Sequence, residues 1–244
     1  MSLLGQPLFQ SSFIRGVIEI LFEILFQPHH HPITGASRFI PVIINFNIGL
    51  IKIFGAGDKK LMLEKAVETI TLTIWLMLPA YIPNPAAALF GGGLPIDFRK
   101  YFLDGKRILG DGKTFRGLIC GTACGIAIGI VEHYLAKTVN MPDFGEYPDF
   151  IKVIFLLSFG ALFGDLLKSF LKRRLGYERG AKLPVVDQLD LVLGAWLLAF
   201  IFAREWFLAN YNIWIIATAV VITPVLHRII NVIGYKIGAK KEPW

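Results

Sequence analysis

The sequence predicts an all-α, polytopic integral membrane protein with five core transmembrane helices and one or two N-terminal membrane-associated helices. Of its 244 residues, 55% are hydrophobic before the 24 glycines are counted, and only 18% are charged. A soluble domain has about 45–50% apolar residues with glycine included, and about 25% charged residues. This composition excludes a disordered chain, a secreted disulfide scaffold and a soluble nucleic-acid-binding protein, so we expect no nucleic-acid partner despite the net charge of +7.

Five apolar runs are long enough to cross a bilayer as helices, which takes about 20 residues each. These runs lie at residues 62–82, 118–137, 150–171, 189–208 and 211–233. Residues 13–26 carry their charged side chains on one helical face, which predicts a helix lying in the membrane interface. Residues 38–54 are apolar but interrupted by Pro41 and two asparagines, so a sixth span and a re-entrant or buried helix both remain open.

The distribution of basic residues predicts the orientation in the membrane. Residues 84–117 and 168–188 each carry six Lys or Arg residues, and four more follow residue 227. The connections at 137–149 and 203–210 carry one each. Because short cytoplasmic loops have an excess of Lys and Arg, we expect a multi-pass cell-membrane protein whose two basic loops and C-terminus are cytoplasmic. Five spans alternate consistently with this orientation.

The first basic loop has the composition of a phosphate-binding segment. It contains the glycines 91–93 and the segment Gly112-Lys113-Thr114-Phe-Arg116-Gly, which leads directly into the predicted helix at 118–137. Glycines let backbone N–H groups approach phosphate oxygens, and a helix N-terminus favours anions. A P-loop is excluded because its first glycine would fall on Arg107. The alternative is a basic loop that lies against anionic lipid headgroups.

The second basic loop begins with charged residues on a continuing membrane helix. Asp165, Ser169 and Lys172 are spaced i, i+4 and i+7 and therefore share a face, with Lys168 and Arg173 on its flanks. An aspartate at the end of a spanning helix is costly unless it binds a cation or a partner. A purely structural ion pair of Asp165 with Lys168 or Lys172 is the alternative.

Two further aspartates open the next predicted helix. Asp187 and Asp190 are three residues apart in its first turn, where the helix dipole favours carboxylates. Helix capping accounts for one of them but not for both. If Asp165 meets this pair, the carboxylates form a site suited to Mg²⁺, which prefers a few carboxylates together with substrate phosphates.

These segments resemble a known enzyme family. The sequence Gly164-Asp165-Leu-Leu-Lys-Ser169-Phe-Leu-Lys172-Arg173, followed by Asp187-Gln-Leu-Asp190, resembles the signature of the CDP-diglyceride synthetases, which are integral-membrane cytidylyltransferases. The Gly-Lys-Thr-Phe-Arg-Gly segment matches the position of that family's Lys-Thr-x-x-Gly motif. The short five-span layout is most similar to the archaeal branch, the CDP-archaeol synthases. The bacterial Pro-Gly-His-Gly-Gly stretch is replaced here by Leu-Pro-Val-Val, which argues against a bacterial-type preference for phosphatidate.

The resemblance covers residues 63–244 and divides the chain in two. We expect residues 62–244 to be a membrane-embedded cytidylyltransferase domain and residues 1–61 to be an N-terminal extension. The implied reaction is transfer of CMP from CTP to a prenylated glycerol-ether phosphate, digeranylgeranylglyceryl phosphate, with release of pyrophosphate and with Mg²⁺ as cofactor. The partners are then CTP, this lipid substrate and the surrounding membrane lipids.

The resemblance also implies roles for individual residues. Asp165 and Asp190 would be metal ligands, with Asp187 as a further ligand or as a support for one. Asn84 and Pro85 would frame the cytosine and ribose. The residues expected to bind CTP or its phosphates are Lys106, Lys113, Thr114, Arg116, Lys168, Ser169, Lys172 and Arg173.

Two functions of other classes remain open on the sequence. A CTP-dependent polyprenol or dolichol-type lipid kinase would use a similar membrane fold and metal, but it would transfer the γ-phosphate and release CDP. A membrane transporter would also place charges near helix ends, although the charges here lie in two loops and not along a path through the midplane. The sequence allows a homodimer as well as a monomer.

Overall fold

The computed structural model describes residues 59–177 and 186–236. The helices are α1 (Lys59–Tyr81), α2 (Pro83–Phe90), α3 (Phe115–Val139), α4 (Asp149–Arg174), α5 (Val186–Phe202), α6 (Arg204–Asn210) and α7 (Ile213–Lys236). This architecture confirms the all-α fold class. The helices predicted at 13–26 and 38–54 lie outside the described residues.

Within residues 59–177 and 186–236, four helical stretches are long and apolar enough to cross a membrane. They are Leu63–Phe90, Phe115–Val139, Asp149–Arg174 and Ile213–Lys236. They match four of the five predicted spans and confirm a membrane protein. The span predicted at 189–208 differs, because the helix is interrupted at Ala203 and continues as the short helix α6. The preceding helix α5 has 17 residues, the lower limit for crossing the hydrocarbon core, so the fifth span stays a prediction.

The first span reaches further along the chain than the hydropathy predicted. After Ile82 the helix resumes as α2, and Asn84 and Pro85, which were expected in a loop, are therefore helical. Pro79 and Pro83 interrupt the hydrogen-bond ladder here, since proline has no backbone N–H to donate. The carbonyl groups at this break are where α3 makes its closest approach.

Glycines repeat every four residues along α3 and therefore lie on one face of the helix. A Cβ atom at Gly121 would be 2.7 Å from the Pro83 carbonyl oxygen, and one at Gly125 would be 2.7 Å from the Pro79 carbonyl oxygen. Small residues let membrane helices approach to backbone contact. This stripe consequently packs α3 tightly against the broken first span.

Helices α4 and α5 are in direct backbone contact. A Cβ at Gly164 would be 2.1 Å from the carbonyl oxygen of Asp190, and one at Gly194 would be 2.3 Å from that of Gly160. Real Cβ atoms do not approach so closely, so this packing requires glycine at these positions. The contact places the first turn of α5 beside Asp165.

The connections between the helices lie at the two ends of the bundle as the charge pattern predicts. At one end, the first basic loop reaches α4 through ion pairs of Lys113 with Asp165 and of Asp104 with Arg174. At the other end, the Trp206 indole N–H donates to the Asp143 carbonyl oxygen at 3.3 Å. The first basic loop and the described residues of the second, 168–177 and 186–188, therefore lie at the same end of the helices.

We predict that Gly194→Ala lowers the thermal stability of the detergent-solubilised protein. The new methyl group would collide with the backbone of α4, and overpacking of this kind typically costs about 1–3 kcal/mol. The matched control is Gly112→Ala, because a Cβ at Gly112 would meet nothing within 4 Å. The measurement is the midpoint of thermal unfolding for both variants. Equal midpoints would contradict the proposed α4–α5 contact.

Candidate active site

Three aspartates from two helices surround one lysine side chain. The Lys168 Nζ lies 3.0 Å from an Asp165 carboxylate oxygen, 2.6 Å from Asp190 and 3.7 Å from Asp187. Lys113 of the first loop also forms an ion pair with Asp165. The structure therefore brings Asp165 together with Asp187 and Asp190, which is the condition that the sequence analysis set for a shared carboxylate site.

A third ammonium group completes this arrangement. The Lys172 Nζ donates to both carboxylate oxygens of Asp187, at 2.6 and 2.8 Å. We call the following six residues the charged cluster: Lys113, Asp165, Lys168, Lys172, Asp187 and Asp190. It holds three positive and three negative formal charges, so its own ion pairs balance without a ligand. Ser169, which was predicted on the same helical face, is buried.

Burial within the charged cluster is graded. The Asp190 side chain is only 2% exposed, whereas Lys113 and Asp187 are each 26% exposed. Buried charges are stable only when they are paired, which explains the position of Lys168 between Asp190 and Asp165. The cluster is consequently closed toward the membrane interior and accessible from the loop side.

The side chains of the charged cluster that could act as metal ligands are all carboxylates, and carboxylates suit a hard divalent cation. The arrangement nevertheless differs from the predicted magnesium site. Among the residues that the structure describes, no three His, Cys, Asp or Glu side chains are grouped so that they could hold a metal ion. The ammonium of Lys168 separates the carboxylates of Asp165, Asp187 and Asp190.

Asp97 organises the first loop, a role that the sequence analysis missed. Its buried carboxylate accepts hydrogen bonds from Arg107 Nη2 at 3.0 Å and from the backbone N–H groups of Leu109 and Gly110 at 3.0 and 2.9 Å. Burial raises the pKa of Asp97, but these hydrogen bonds outweigh it and hold the pKa well below the usual range. An isolated aspartate ten residues before its arginine partner gives no helical spacing that could reveal this.

A hairpin within the first loop docks onto the end of α4. Phe102 and Lys106 are joined by a backbone hydrogen bond of 2.8 Å. Arg174 pairs with Asp104, and its guanidinium lies 4.6 Å from the centre of the Phe102 ring and 5.1 Å from that of Phe170. Arg174 is therefore the main attachment point between the two basic loops outside the charged cluster.

Two of the predicted phosphate-binding residues join the ends of helices. The Thr114 hydroxyl caps α3 by accepting from the Gly117 N–H at 3.1 Å, and it also accepts from the Gly92 N–H at 3.2 Å. The Arg116 guanidinium donates to the Phe90 carbonyl oxygen at 2.6 Å, at the end of α2. These contacts fix the glycine segment 91–93 against the start of α3.

Arg173 and Lys106 lie in a second basic region. Arg173 donates to the carbonyl oxygens of Tyr177 at 2.7 Å and Leu109 at 3.3 Å, and the Lys106 Nζ donates to the Arg174 carbonyl oxygen at 3.2 Å. These side chains border an open pocket of about 460 Å³. The predicted set of phosphate-binding residues is thus divided among this pocket, the charged cluster and the junction of α2 with α3, where Thr114 and Arg116 lie.

Asn84 and Pro85 line a cavity of about 40 Å³ between α2, α5 and α7. The Asn84 amide oxygen is buried and accepts no hydrogen bond from any residue that the structure describes. Leu191, which follows Asp190 in the chain, lines the same cavity together with Thr223. The cavity therefore lies next to the buried end of the charged cluster.

We predict that Asp97→Ala opens the first loop. Loss of a charged acceptor costs about 1.5–3 kcal/mol per hydrogen bond, so the Leu109 and Gly110 amides should exchange with deuterium at least tenfold faster. Asp111→Ala is the control, because the Asp111 side chain is 51% exposed. In the unmodified protein, the protection of the Leu109 and Gly110 amides should be constant from about pH 5 to 8. Because the pKa of Asp97 is depressed, its carboxylate is protonated, and these hydrogen bonds are lost, only in stronger acid. Unchanged exchange in Asp97→Ala would contradict this role.

Comparison with known proteins agrees with the resemblance noted from the two loops. A family model described as CDP-archaeol synthase (CarS-like) matches residues 66–244. The CDP-archaeol synthase of Methanosarcina barkeri is 53% identical over 175 residues, which are 69% of this chain and 100% of that protein. That of Archaeoglobus fulgidus is 48% identical over 180 residues, covering 73% of this chain and 99% of that protein.

A solved structure is also similar. It is described as an intramembrane enzyme for archaeal membrane lipids biosynthesis, and it is 36% identical with a TM-score of 0.51. The match covers 65% of this chain and 92% of the other. The family model spans more than half of the chain and includes the entire charged cluster. The chain therefore belongs to the CDP-archaeol synthase family, whose members are membrane-embedded nucleotidyltransferases.

Proposed function

We propose that the protein transfers CMP from CTP to digeranylgeranylglyceryl phosphate and releases pyrophosphate. The observation that carries this proposal is the meeting of both basic loops on the charged cluster, at one end of a bundle that crosses the membrane. Lys113 comes from the first loop, Lys168 and Lys172 from the end of α4, and the ion pairs with Asp165 and Asp187 join them. A lipid-borne phosphate and a soluble nucleotide can both reach this boundary.

In the proposed reaction, a phosphate oxygen of the lipid attacks the α-phosphorus of CTP in line, and pyrophosphate leaves. A phosphate monoester is already largely dianionic at neutral pH, so the attacking oxygen needs no general base. Catalysis then consists of positioning and of charge neutralisation. Lys113 is one of the two most exposed members of the charged cluster, which suits it to bind phosphate oxygens as the nucleotide enters.

The basic residues outside the charged cluster have a different part in this proposal. Lys106 and Arg173 border the open pocket on the loop side, where they can hold the outer phosphates that leave as pyrophosphate. Thr114 and Arg116 hold the glycine segment 91–93, in which the Gly92 N–H donates to the Thr114 hydroxyl. Asn84 and Pro85 would frame the cytosine and ribose, since Leu191, which lines the same cavity, directly follows Asp190 in the chain. The cavity of about 40 Å³ would have to widen to admit these groups.

We assign Mg²⁺ to Asp165 and Asp190, with Asp187 as a further ligand or a support for one. A bound Mg²⁺ would withdraw charge from the phosphates and orient them. The support for this assignment is the gathering of three carboxylates within 4 Å of one ammonium group. Lys168 would then pair with a phosphate when the carboxylates bind the cation.

The proposed topology has five spans, with α5 as the fourth, and places both basic loops and the C-terminus in the cytoplasm. Its support is the position of both basic loops at one end of the bundle, and of the connections with one basic residue each at the other. Basic loops are retained on the cytoplasmic side. The nucleotide substrate is then available where the charged cluster opens.

We predict that Asp165→Asn and Asp190→Asn each lower the rate of pyrophosphate release at least a hundredfold, a typical effect of removing one electrostatic contact to a transition state. The assay supplies CTP, Mg²⁺ and either digeranylgeranylglyceryl phosphate or phosphatidic acid. Asp143→Asn is the control, since Asp143 lies at the opposite end of the bundle. Release with the ether lipid should exceed release with phosphatidic acid.

The product separates this reaction from the alternatives. Formation of CDP in place of pyrophosphate would establish a lipid kinase, and solute flux without CTP consumption would establish a transporter. Full activity in both aspartate variants, in protein that folds normally, would overturn the assignment of the charged cluster.

We further propose that residues 1–61 are an extension that the reaction does not need. This is supported by the family match, which begins at residue 66, and by relatives that are matched over their whole length by about 175 residues of this chain. We predict that a chain starting at Met62 releases pyrophosphate at a rate within about twofold of the full chain when both are reconstituted in vesicles. A loss greater than tenfold in a folded protein would assign the extension a part in the reaction.

A further inference from the structure

The hairpin of the first loop carries an exposed apolar tip. Leu103 is 97% exposed, more than any other large hydrophobic side chain in the part of the chain that the structure describes. Tyr101 in the same hairpin is 67% exposed, and Leu94 and Phe98, which precede the hairpin in the first loop, are 57% and 54% exposed. Single exposed apolar residues are common on proteins, but a group of them marks an interaction surface.

The tip is held beside the membrane-facing side of α4. Phe102, next to Leu103, packs edge-to-face on Phe170 with 5.5 Å between ring centres. Leu167, Leu171 and Leu175 follow one another at intervals of four residues and are 39%, 55% and 70% exposed. The apolar stripe of α4 therefore continues onto the hairpin.

The length of α4 sets the depth of this surface. Its 26 residues span about 39 Å at 1.5 Å per residue, whereas the hydrocarbon core is about 30 Å thick. The helix is therefore about 9 Å longer than the hydrocarbon core, and the three basic residues of its last turn place this excess at headgroup level on the loop side. The Arg174 contacts hold the hairpin against this turn, so its tip lies at the same level.

Basic side chains flank the apolar tip. Arg99 has a side chain that is 78% exposed, and Lys100 is also exposed. Apolar side chains that enter a leaflet beside basic side chains at headgroup level are typical of segments that bind anionic membrane surfaces. The charges and the apolar tip thus match the same partner.

We propose that the hairpin at residues 100–108 is a membrane anchor, whose tip at Leu103 inserts into the lipid leaflet on its own side of the bilayer. The anchor is rigidly linked to the charged cluster. Arg107 of the hairpin is held by Asp97, and the adjacent Ile96 N–H donates to the Lys113 carbonyl oxygen at 2.8 Å. This consequence rests on the proposed function: the anchor fixes the depth of Lys113 relative to the lipid headgroups, and therefore relative to the phosphate of the lipid substrate.

The test measures the depth of position 103 in vesicles of phosphatidylcholine and phosphatidylglycerol. In a background with Cys120→Ala and Cys124→Ala, Leu103→Cys carries an environment-sensitive NBD label. The full chain is reconstituted with lipids that bear a nitroxide quencher near the headgroup. Leu171→Cys is the positive control on the stripe of α4, and Asp111→Cys is the control on the solvent side of the same loop.

We expect quenching at position 103 to equal that at position 171 and to exceed that at position 111 several-fold. Replacing Arg99 and Lys100 with glutamine should reduce quenching at position 103, because the attraction to anionic headgroups is lost. A label at position 103 that is quenched by aqueous iodide and not by the nitroxide lipids would overturn the proposal. Disulfide crosslinking between two copies of the unlabelled Leu103→Cys variant, without lipid quenching of the labelled one, would overturn it in favour of a homodimer contact. Neither result depends on pyrophosphate release, so it leaves the proposed function to its own test.

Discussion

The backbone contact between α4 and α5 determines the geometry of the candidate active site. Gly164 precedes Asp165, and the Cβ that it lacks would fall on the carbonyl group of Asp190. With any larger residue, the first turn of α5 would move away from α4. The aspartates of the two helices would then no longer share Lys168. In a membrane, where apolar side chains gain little by leaving lipid for protein, such close packing of small residues is a main source of helix association.

Charge balance is the second constraint, and it follows from the first. Asp190 is almost completely buried, and a buried carboxylate without a partner would cost several kcal/mol. Lys168 supplies the partner and simultaneously contacts Asp165. Because three ammonium groups match three carboxylates, the charged cluster offers little net attraction to a triphosphate. In the proposed function Asp165 and Asp190 would hold a divalent cation, and Lys168 would then be available to bind a phosphate.

Local spacing revealed the acidic residues but not their contacts. Hydropathy predicted five spans, of which four match helices of sufficient length. The i, i+3 and i+4 intervals placed Asp165, Ser169 and Lys172 on one helical face and Asp187 with Asp190 on another, but they left open whether the two groups meet. The break at Ala203 was not predicted, because no proline or glycine marks it in the sequence. The role of Asp97 in the first loop depends on partners far along the chain. The same holds for the contacts by which Thr114, Arg116 and Arg173 join segments. Helical periodicity carries no information about such contacts.

On the loop side of the bundle, two sets of contacts hold the site in place and explain how a soluble and a lipid substrate can meet: the contact of α4 with α5, and the attachment of the first loop to α4. The α4–α5 contact fixes the carboxylates at one depth in the bundle. The Asp97–Arg107 pair fixes the first loop, and Arg174 attaches that loop to the last turn of α4. Since both sets of contacts involve α4, the depth of Lys113 relative to Asp165 is set by the attachment of the first loop to this helix. The lipid phosphate needs only to arrive at the same boundary, which a membrane-anchored molecule does by lateral diffusion.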